Sequence, residues 1–265
     1  IMEQGLAPKT CNLRLTAIRA FLEYAAQEYL WIMPVYTDAC TIVGVKTTNH
    51  AIEYFEPNEM TALLEAPSGN NKTDRRNQMI LIFLYDTAAR VAEARQVKVS
   101  DLHLDAEVPY VTLLGKGRKY RNIPLMDKTI LHLKRFLKDF HGSELKTDMP
   151  LFYSKIHGQV HELSSDTFEK MIKRYAAQCR AGGYSMPDNV HCHMIRKTRA
   201  MDLYREGVPL THIQQLLGHE NISTTSGFYA FATLDVLAKA MEIVNPDNGV
   251  KSWSNPDTLE RLYRL

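Results

Sequence analysis

The residues best suited to chemistry lie between His191 and Tyr229, in the segment HCHMIRKTRAMDLYREGVPLTHIQQLLGHENISTTSGFY. His193 and Arg196 have the spacing H-x-x-R at the predicted start of a helix. Both side chains then share one face, beside backbone N–H groups that favour an anion. The planar fork of an arginine matches two oxygens of a phosphate. The segment therefore predicts a phosphate-binding site.

The end of the same segment allows two interpretations. Gly218 and His219 in LLGH fit the left-handed end of a helix, and Tyr229, beside Phe228, fits a core position. The alternative is that both residues belong to the predicted phosphate-binding site. Each signal is weak by itself.

A metal site is the rival interpretation of His191 and His193, which flank Cys192. Structural and catalytic metal sites need three or four ligands with matching spacing. Beside Cys192, no further cysteine or carboxylate partner with matching spacing is apparent in the sequence, so we expect no metal here.

Arg90 follows a strongly apolar stretch, and Glu93 stands three residues later. An arginine in such a position is costly unless it is paired, and Glu93 could hold it by hydrogen bonds. A structural ion pair is the simplest interpretation of these two residues.

Residues 97–125 change to a period of two on both sides of Gly115-Lys116-Gly117, which predicts a hairpin. Four cations occur here within six residues and without an acid: Lys116, Arg118, Lys119 and Arg121. A solvated turn is one explanation. The glycines favour another, in which a backbone or base edge approaches closely.

Helical spacing dominates the rest of the chain. Residues 8–32 form a predicted amphipathic helix, on which Arg14 and Arg19 lie off the apolar stripe, either solvated or against a nucleic-acid backbone. Residues 33–52 are predicted to be a linker. Further helices are predicted at FEPNEMTALLEA, at RRNQMILIFLYDTAAR, which is buried, and at 128–140, 164–181, 195–206, 209–217 and TLDVLAKAMEIV. The fold class is mainly α with a small antiparallel β-sheet.

Composition restricts the class of protein. The chain has 265 residues, 45% hydrophobic and 23% charged, with a net charge of +2. No apolar run approaches the ~18 residues of a membrane span, and we recognise no secretion signal. The four cysteines lack CxxC spacing, so we expect reduced thiols and a cytoplasmic protein. Because the chain begins at Ile1, we expect a segment upstream.

The sequence contains, in this order, Arg90, Lys116, His193-x-x-Arg196, Leu-Gly-His and Tyr229. In this ordered set it resembles the tyrosine recombinases, also called the phage integrase family, over about residues 55–245. The resemblance implies six catalytic residues: Tyr229, Arg90, Arg196, Lys116, His193 and His219. The arginines would bind the scissile phosphate, the lysine would protonate the leaving 5′ oxygen, the histidines would assist proton transfer, and the tyrosine would attack. Glu93 would support the site without reacting. Candidate DNA contacts are Arg118, Lys119, Arg121, Lys197, Arg14 and Arg19.

The sequence departs from the family pattern in three places. Ala88-Ala89 stands where many members have Gly-Leu before the first arginine, and Lys197 stands where many have a second histidine. The spacing from His219 to Tyr229 is ten rather than nine, which would place Phe228 at the nucleophile position. We still expect Tyr229, with Tyr204 and Tyr263 as weaker rivals.

The resemblance implies a site-specific recombinase, the integrase or transposase of a mobile element, that works through a 3′-phosphotyrosyl intermediate without ATP, metal or other cofactor. Residues 1–48 would end a helical core-binding domain and linker, 49–245 would be the catalytic domain, and 246–265 a tail. The partners would be double-stranded DNA and three further copies of the chain, the C-terminal helix docking on a neighbour. The alternatives are a type IB topoisomerase and an inactive DNA-binding protein.

Overall fold

The structure is a computed structural model that describes residues 5–47, 53–67, 71–142 and 146–218. The chain divides into two compact units, residues 1–51 and 52–265. Within the described ranges, no helix is both long and apolar enough to cross a membrane.

The first unit contains two helices, α1 (Pro8–Glu28) and α2 (Met33–Thr41), joined by a 3₁₀ turn. The predicted linker at 33–52 is therefore wrong for residues 33–41. Pro34 lies in the first turn of α2, where a missing N–H costs no hydrogen bond. The predicted single helix over 8–32 ends earlier, at Glu28.

Large apolar side chains of the first unit lie exposed: Leu13, Ile18, Phe21, Tyr24, Tyr29, Leu30, Trp31, Met33, Val35, Ile42 and Val43. Among residues 5–47 the buried apolar side chains are those of Cys11, Ala26 and Ala39. So few small side chains do not form a hydrophobic core of their own.

The second unit is built around α4 (Lys72–Thr87). Its side chains are buried on nearly all sides, as the apolar stretch predicted: Met79, Ile80, Leu81, Phe83 and Leu84 are each at most 3% exposed. Around it lie α3 (Pro57–Glu65), α5 (Val91–Gln96), α6 (Asp127–Phe136), α7 (Ser165–Ala181), α8 (Cys192–Arg205) and α9 (Leu210–Leu217). A π-helical turn, Leu137–His141, extends α6.

A small antiparallel sheet with the order β1-β2-β3 packs beside these helices. Its strands are β1 (Leu102–His103), β2 (Tyr110–Leu114) and β3 (Tyr120–Pro124). The predicted hairpin is confirmed, with Leu114 opposite Tyr120 and a hydrogen bond from the Gly115 N–H to the Lys119 carbonyl (2.8 Å). A second hairpin, β4 (Tyr153–Ile156) with β5 (Gln159–Glu162), was not predicted. The predicted fold class is confirmed.

Two features of this fold position the candidate site. The C-terminal residue of α4 is followed by Ala88 in the left-handed conformation (φ 48°), which turns the chain sharply towards Arg90. Ala88 also belongs to a small buried cluster with Ala200, Met201, Ile213 and Leu217. This apolar packing brings the end of α4, the middle of α8 and the end of α9 together.

Candidate active site

Arg90 and Glu93 form the expected ion pair at the start of α5. The Arg90 side chain donates from Nη1 to Glu93 Oε1 (2.7 Å), and its backbone N–H donates to Oε2 (2.7 Å). The helix thus begins with an acidic group that accepts a free N–H of the first turn. The Arg90 side chain remains 33% exposed, whereas that of Glu93 is 4% exposed.

Arg121 occupies a different place from the one that the sequence predicted. Its guanidinium group makes a two-pronged pair with Glu93, Nη1 to Oε1 and Nη2 to Oε2, each at 2.8 Å. Its Nε donates to the carbonyl of Leu216 (3.0 Å). The side chain is 14% exposed. The structure therefore places Arg121 inside the site, behind Glu93, rather than on the exposed face of the hairpin.

Arg196 is the most deeply buried cation of the site, with a side chain 3% exposed. Its Nη1 donates to the carbonyl of Ala88 (2.7 Å), and its Nη2 donates to the carbonyl of Leu217. Nη1 also lies 3.9 Å from Glu93 Oε2. The apolar cluster around Ala88 and Leu217 sets both of these carbonyls beside the arginine.

The three arginines also meet at the C-terminus of α9. Arg121 binds the carbonyl of Leu216, Arg196 that of Leu217, and Arg90 Nη2 that of Gly218 (3.4 Å). These carbonyls are the ones that a helix leaves without partners at its negative end. Gly218 has the predicted left-handed conformation (φ 62°).

The electrostatics of this cluster favour an anion. Burial raises the pKa of Glu93, but the hydrogen bonds from Arg121 and Arg90 outweigh it and lower that pKa to about 2. Glu93 is therefore ionised at neutral pH and offsets one of three guanidinium charges. The surplus positive charge lies where Arg90 remains accessible to solvent.

His193 lies in the first turn of α8, three residues before Arg196. Although solvent reaches the residue, desolvation of the ring disfavours the charged form. The positive charges of Arg196 and Lys197 add to this effect, and the pKa of His193 falls to about 4. His193 is thus a neutral hydrogen-bonding group at pH 7. Its ring stacks on that of His191, with centroids 6.5 Å apart.

The other predicted site residues fall into three groups. Arg118, Lys119 and Arg14 are exposed, and Lys197 is partly exposed. Arg19 donates to the carbonyls of Ala39, Cys40 and Ile42, so that its guanidinium group caps the end of α2. The remaining residues lie outside the described part of the chain: His219, Tyr229, Phe228, Tyr263 and the predicted tail helix. The same holds for the side chain of Lys116, although its backbone is in the turn between β2 and β3.

Two further observations concern the rival interpretations. Tyr204 lies on α8 and was one of the two weaker candidates for the nucleophile. Its side chain is partly buried and packs against the Ala88 cluster. Within the described ranges, no three side chains of His, Cys, Asp or Glu come close enough together to hold a metal ion.

Similarity to known proteins covers most of the chain. The profile of the phage integrase family matches residues 53–233. The integrase/recombinase y4rC of Sinorhizobium fredii is 30% identical to this chain over 255 residues, which cover 96% of this chain and 74% of that protein. The tyrosine recombinase XerC of Staphylococcus epidermidis is 28% identical over 238 residues, 89% of this chain and 75% of that protein.

A solved structure has the same fold. The Tn1549 transposon integrase in complex with circular intermediate DNA superposes with a TM-score of 0.67 over 91% of this chain and 81% of that one, at 21% identity. This likeness confirms the predicted fold class, and the family match includes every residue of the arginine cluster. The chain therefore belongs to the phage integrase family and is a tyrosine-type DNA recombinase.

Proposed function

We propose that the protein is a site-specific recombinase that cleaves and rejoins DNA through a covalent 3′-phosphotyrosyl intermediate. The observation that carries this proposal is the convergence of Arg90 and Arg196 on one buried carboxylate, Glu93, and on the end of α9. Fixed guanidinium groups of this kind stabilise the charge that a phosphodiester gains when a fifth oxygen approaches phosphorus.

The reaction follows from the chemistry of these groups. The phenol oxygen of Tyr229 forms a bond to phosphorus, its proton passes to a neighbouring base, and the bond from phosphorus to the 5′ oxygen breaks. Lys116 gives a proton to that oxygen, so the products are a 5′ hydroxyl and a 3′-phosphotyrosyl ester. Attack by a 5′ hydroxyl reverses these steps, so joining needs no ATP.

Neutral His193 suits a hydrogen-bonding role at a phosphate oxygen. Because the pKa of His193 is about 4, its ring is neutral at pH 7 and does not act as an imidazolium acid. Lys116 and His219 are the better acids for the leaving group, and a positioned acid contributes ~10²–10⁴ in rate.

By the same resemblance, we propose the partners and the domain limits. The substrate is double-stranded DNA, and exposed Arg118 and Lys119 beside the turn contact its backbone. Four copies act on the DNA, each passing its C-terminal helix to a neighbour. Residues 1–48, 49–245 and 246–265 are the core-binding remnant with linker, the catalytic domain and the tail. The integrase names of the relatives favour a mobile element as the source.

The test uses sheared DNA of the source genome, because the target sequence is unknown. Protein and DNA are mixed and denatured, the covalent adducts are captured and their DNA is sequenced. We expect adducts at one or a few sites, their loss in Tyr229→Phe, and their retention in the matched control Tyr204→Phe. Adducts from Tyr229→Phe would show that another residue is the nucleophile.

Two other outcomes would replace the proposed function. Binding without any adduct from the wild-type protein would indicate an inactive DNA-binding protein. Adducts together with relaxation of supercoiled DNA, but without exchange between two duplexes that carry the trapped site, would indicate a topoisomerase.

A further inference from the structure

Arg121 belongs to the cationic cluster but has no role in the proposed reaction. Its guanidinium group also does not lie on the exposed face of the hairpin. All three of its nitrogens have acceptors: Nη1 and Nη2 bind Glu93, and Nε binds the carbonyl of Leu216. Its neighbour Tyr120 is 70% exposed, whereas the Arg121 side chain is 14% exposed. These three hydrogen bonds hold the guanidinium group away from the surface, so Arg121 is poorly placed for a DNA backbone contact.

The backbone on both sides is shaped to hold this guanidinium group. A Cβ atom at Gly115 would lie 3.2 Å from Arg121 Nη1, and one at Gly218 would lie 3.2 Å from both Cδ and Nη1. Gly218 also needs its positive φ of 62°. Any side chain at either glycine would press on the arginine, so the fork lies clamped between the hairpin turn and the end of α9.

The clamp joins three segments that carry proposed catalytic groups. Gly115 precedes Lys116 in the hairpin, Glu93 holds Arg90, and Leu216 and Gly218 precede His219 in the sequence. Separate elements of this kind drift relative to one another unless something fixes them, and misplacement by about 1 Å costs ~10² in rate.

The charge balance gives Arg121 a second effect. Glu93 presents two oxygens, and Arg121 engages both of them. Without that fork, the carboxylate would draw Arg90 and Arg196 more closely, since Arg196 Nη1 already lies 3.9 Å from Oε2. Both arginines would then face Glu93 rather than a phosphate, and the cluster would carry one positive charge less.

We propose that Arg121 is a positioning residue of this active site, which binds Glu93 and the end of α9 at the same time and so keeps Arg90 and Arg196 directed at the phosphate. The proposal rests on the proposed function. Lysine at this position would keep the charge but would lack the planar fork that reaches two carboxylate oxygens and a carbonyl together.

The experiment compares Arg121→Lys and Arg121→Met with two controls, Arg135→Met on the exposed surface of α6 and Arg118→Met in the hairpin. The probe is a nicked suicide duplex that carries the trapped site. Dissociation constants are measured from about 50 to 200 mM salt, and the rate of adduct formation is measured at saturating DNA.

For a positioning residue, we expect both Arg121 variants to lose roughly 10–100-fold in the saturated rate, with the dissociation constant and its salt dependence unchanged. Arg135→Met should match the wild type in each measurement. Arg118→Met should reduce the salt slope by about 1, as the loss of one phosphate contact does. A reduced salt slope in the Arg121 variants would overturn the proposal, and so would a wild-type rate in Arg121→Lys.

A measurement without DNA separates this proposal from the proposed function. In protein with ¹³C-labelled glutamate, the carboxyl of Glu93 is titrated in the wild type and in Arg121→Lys. A rise of the Glu93 pKa in the variant supports the link, and an unchanged pKa refutes it. If the wild type forms no adduct, the proposed function and the catalytic consequence both fail, while the titration still decides whether Arg121 holds Glu93.

Discussion

Replacing Glu93 with glutamine should destabilise the protein in a manner that depends on pH. In the folded protein the pKa of Glu93 is about 2, and its ordinary value is 4.5. This difference corresponds to about 3 kcal/mol of stability at pH 7, because each tenfold change in protonation equilibrium is worth about 1.4 kcal/mol. Removing one partner of a buried pair typically costs ~3–5 kcal/mol. The two magnitudes agree, and we expect Glu93→Gln to lose about 3 kcal/mol.

The pH dependence follows from the depressed pKa. The contribution of Glu93 is complete above its unfolded value of 4.5 and is lost as the pH falls through about 2. The difference between wild type and Glu93→Gln should thus shrink from about 3 kcal/mol at pH 7 to about 1.4 kcal/mol at pH 3. Urea unfolding at several pH values measures it.

The matched control for this substitution is Glu162→Gln, on the exposed strand β5. It should change the free energy of unfolding by less than ~0.5 kcal/mol at every pH, as surface substitutions usually do. A loss below about 1 kcal/mol in Glu93→Gln, or one that does not vary with pH, would refute the view that its three arginines stabilise the ionised carboxylate.

Three further predictions concern the reaction. Arg196→Lys should slow adduct formation at saturating DNA by ~10²–10³, because a compact ammonium lacks the planar fork that binds the carbonyls of Ala88 and Leu217 and still faces a phosphate. A change below tenfold would contradict this. Lys116→Met should slow cleavage of an ordinary duplex by ~10²–10⁴. It should not slow cleavage of a duplex with sulfur at the bridging 5′ position, since a thiol of pKa about 8.5 leaves without a proton. An equal defect on both substrates would show that Lys116 is not the acid. Because the pKa of His193 is about 4, His193→Gln should leave the shape of the pH–rate profile between about pH 5.5 and 8 unchanged. Loss of a step near pH 6.5 in the variant would show instead that His193 titrates there.

Local patterns in the sequence predicted much of the fold. The apolar stretch of α4, the helices α6 to α9, the β2-β3 hairpin and the left-handed Gly218 all follow from periodicity and turn chemistry. These signals depend on neighbouring residues alone, so a single sequence contains them.

Short elements escaped prediction. Helix α2 has nine residues with a proline in its first turn, and β4 and β5 have four residues each. The strands carry too few residues for a periodic signal, and the stretch that contains α2 shows no clear helical period. The stability of such segments comes from the elements against which they pack.

The partners of the arginines were predicted where they are local and missed where they are distant. Glu93 lies three residues from Arg90, and their pair was expected. Arg121 lies 28 residues from Glu93 and 95 from Leu216. Arg19 likewise reaches carbonyls 20 or more residues away. A basic residue in the sequence does not reveal whether its acceptor is a DNA phosphate or a distant carbonyl.

The sequence by itself determined which groups are available for catalysis and in which order they occur, because the chemistry of a side chain does not depend on the fold. Only the tertiary structure decided that Arg90, Arg121 and Arg196 share Glu93 and the last carbonyls of α9. Hydrogen bonds act over about 3 Å, so the division between cations that face the substrate and a cation that holds the site together arises from packing in three dimensions.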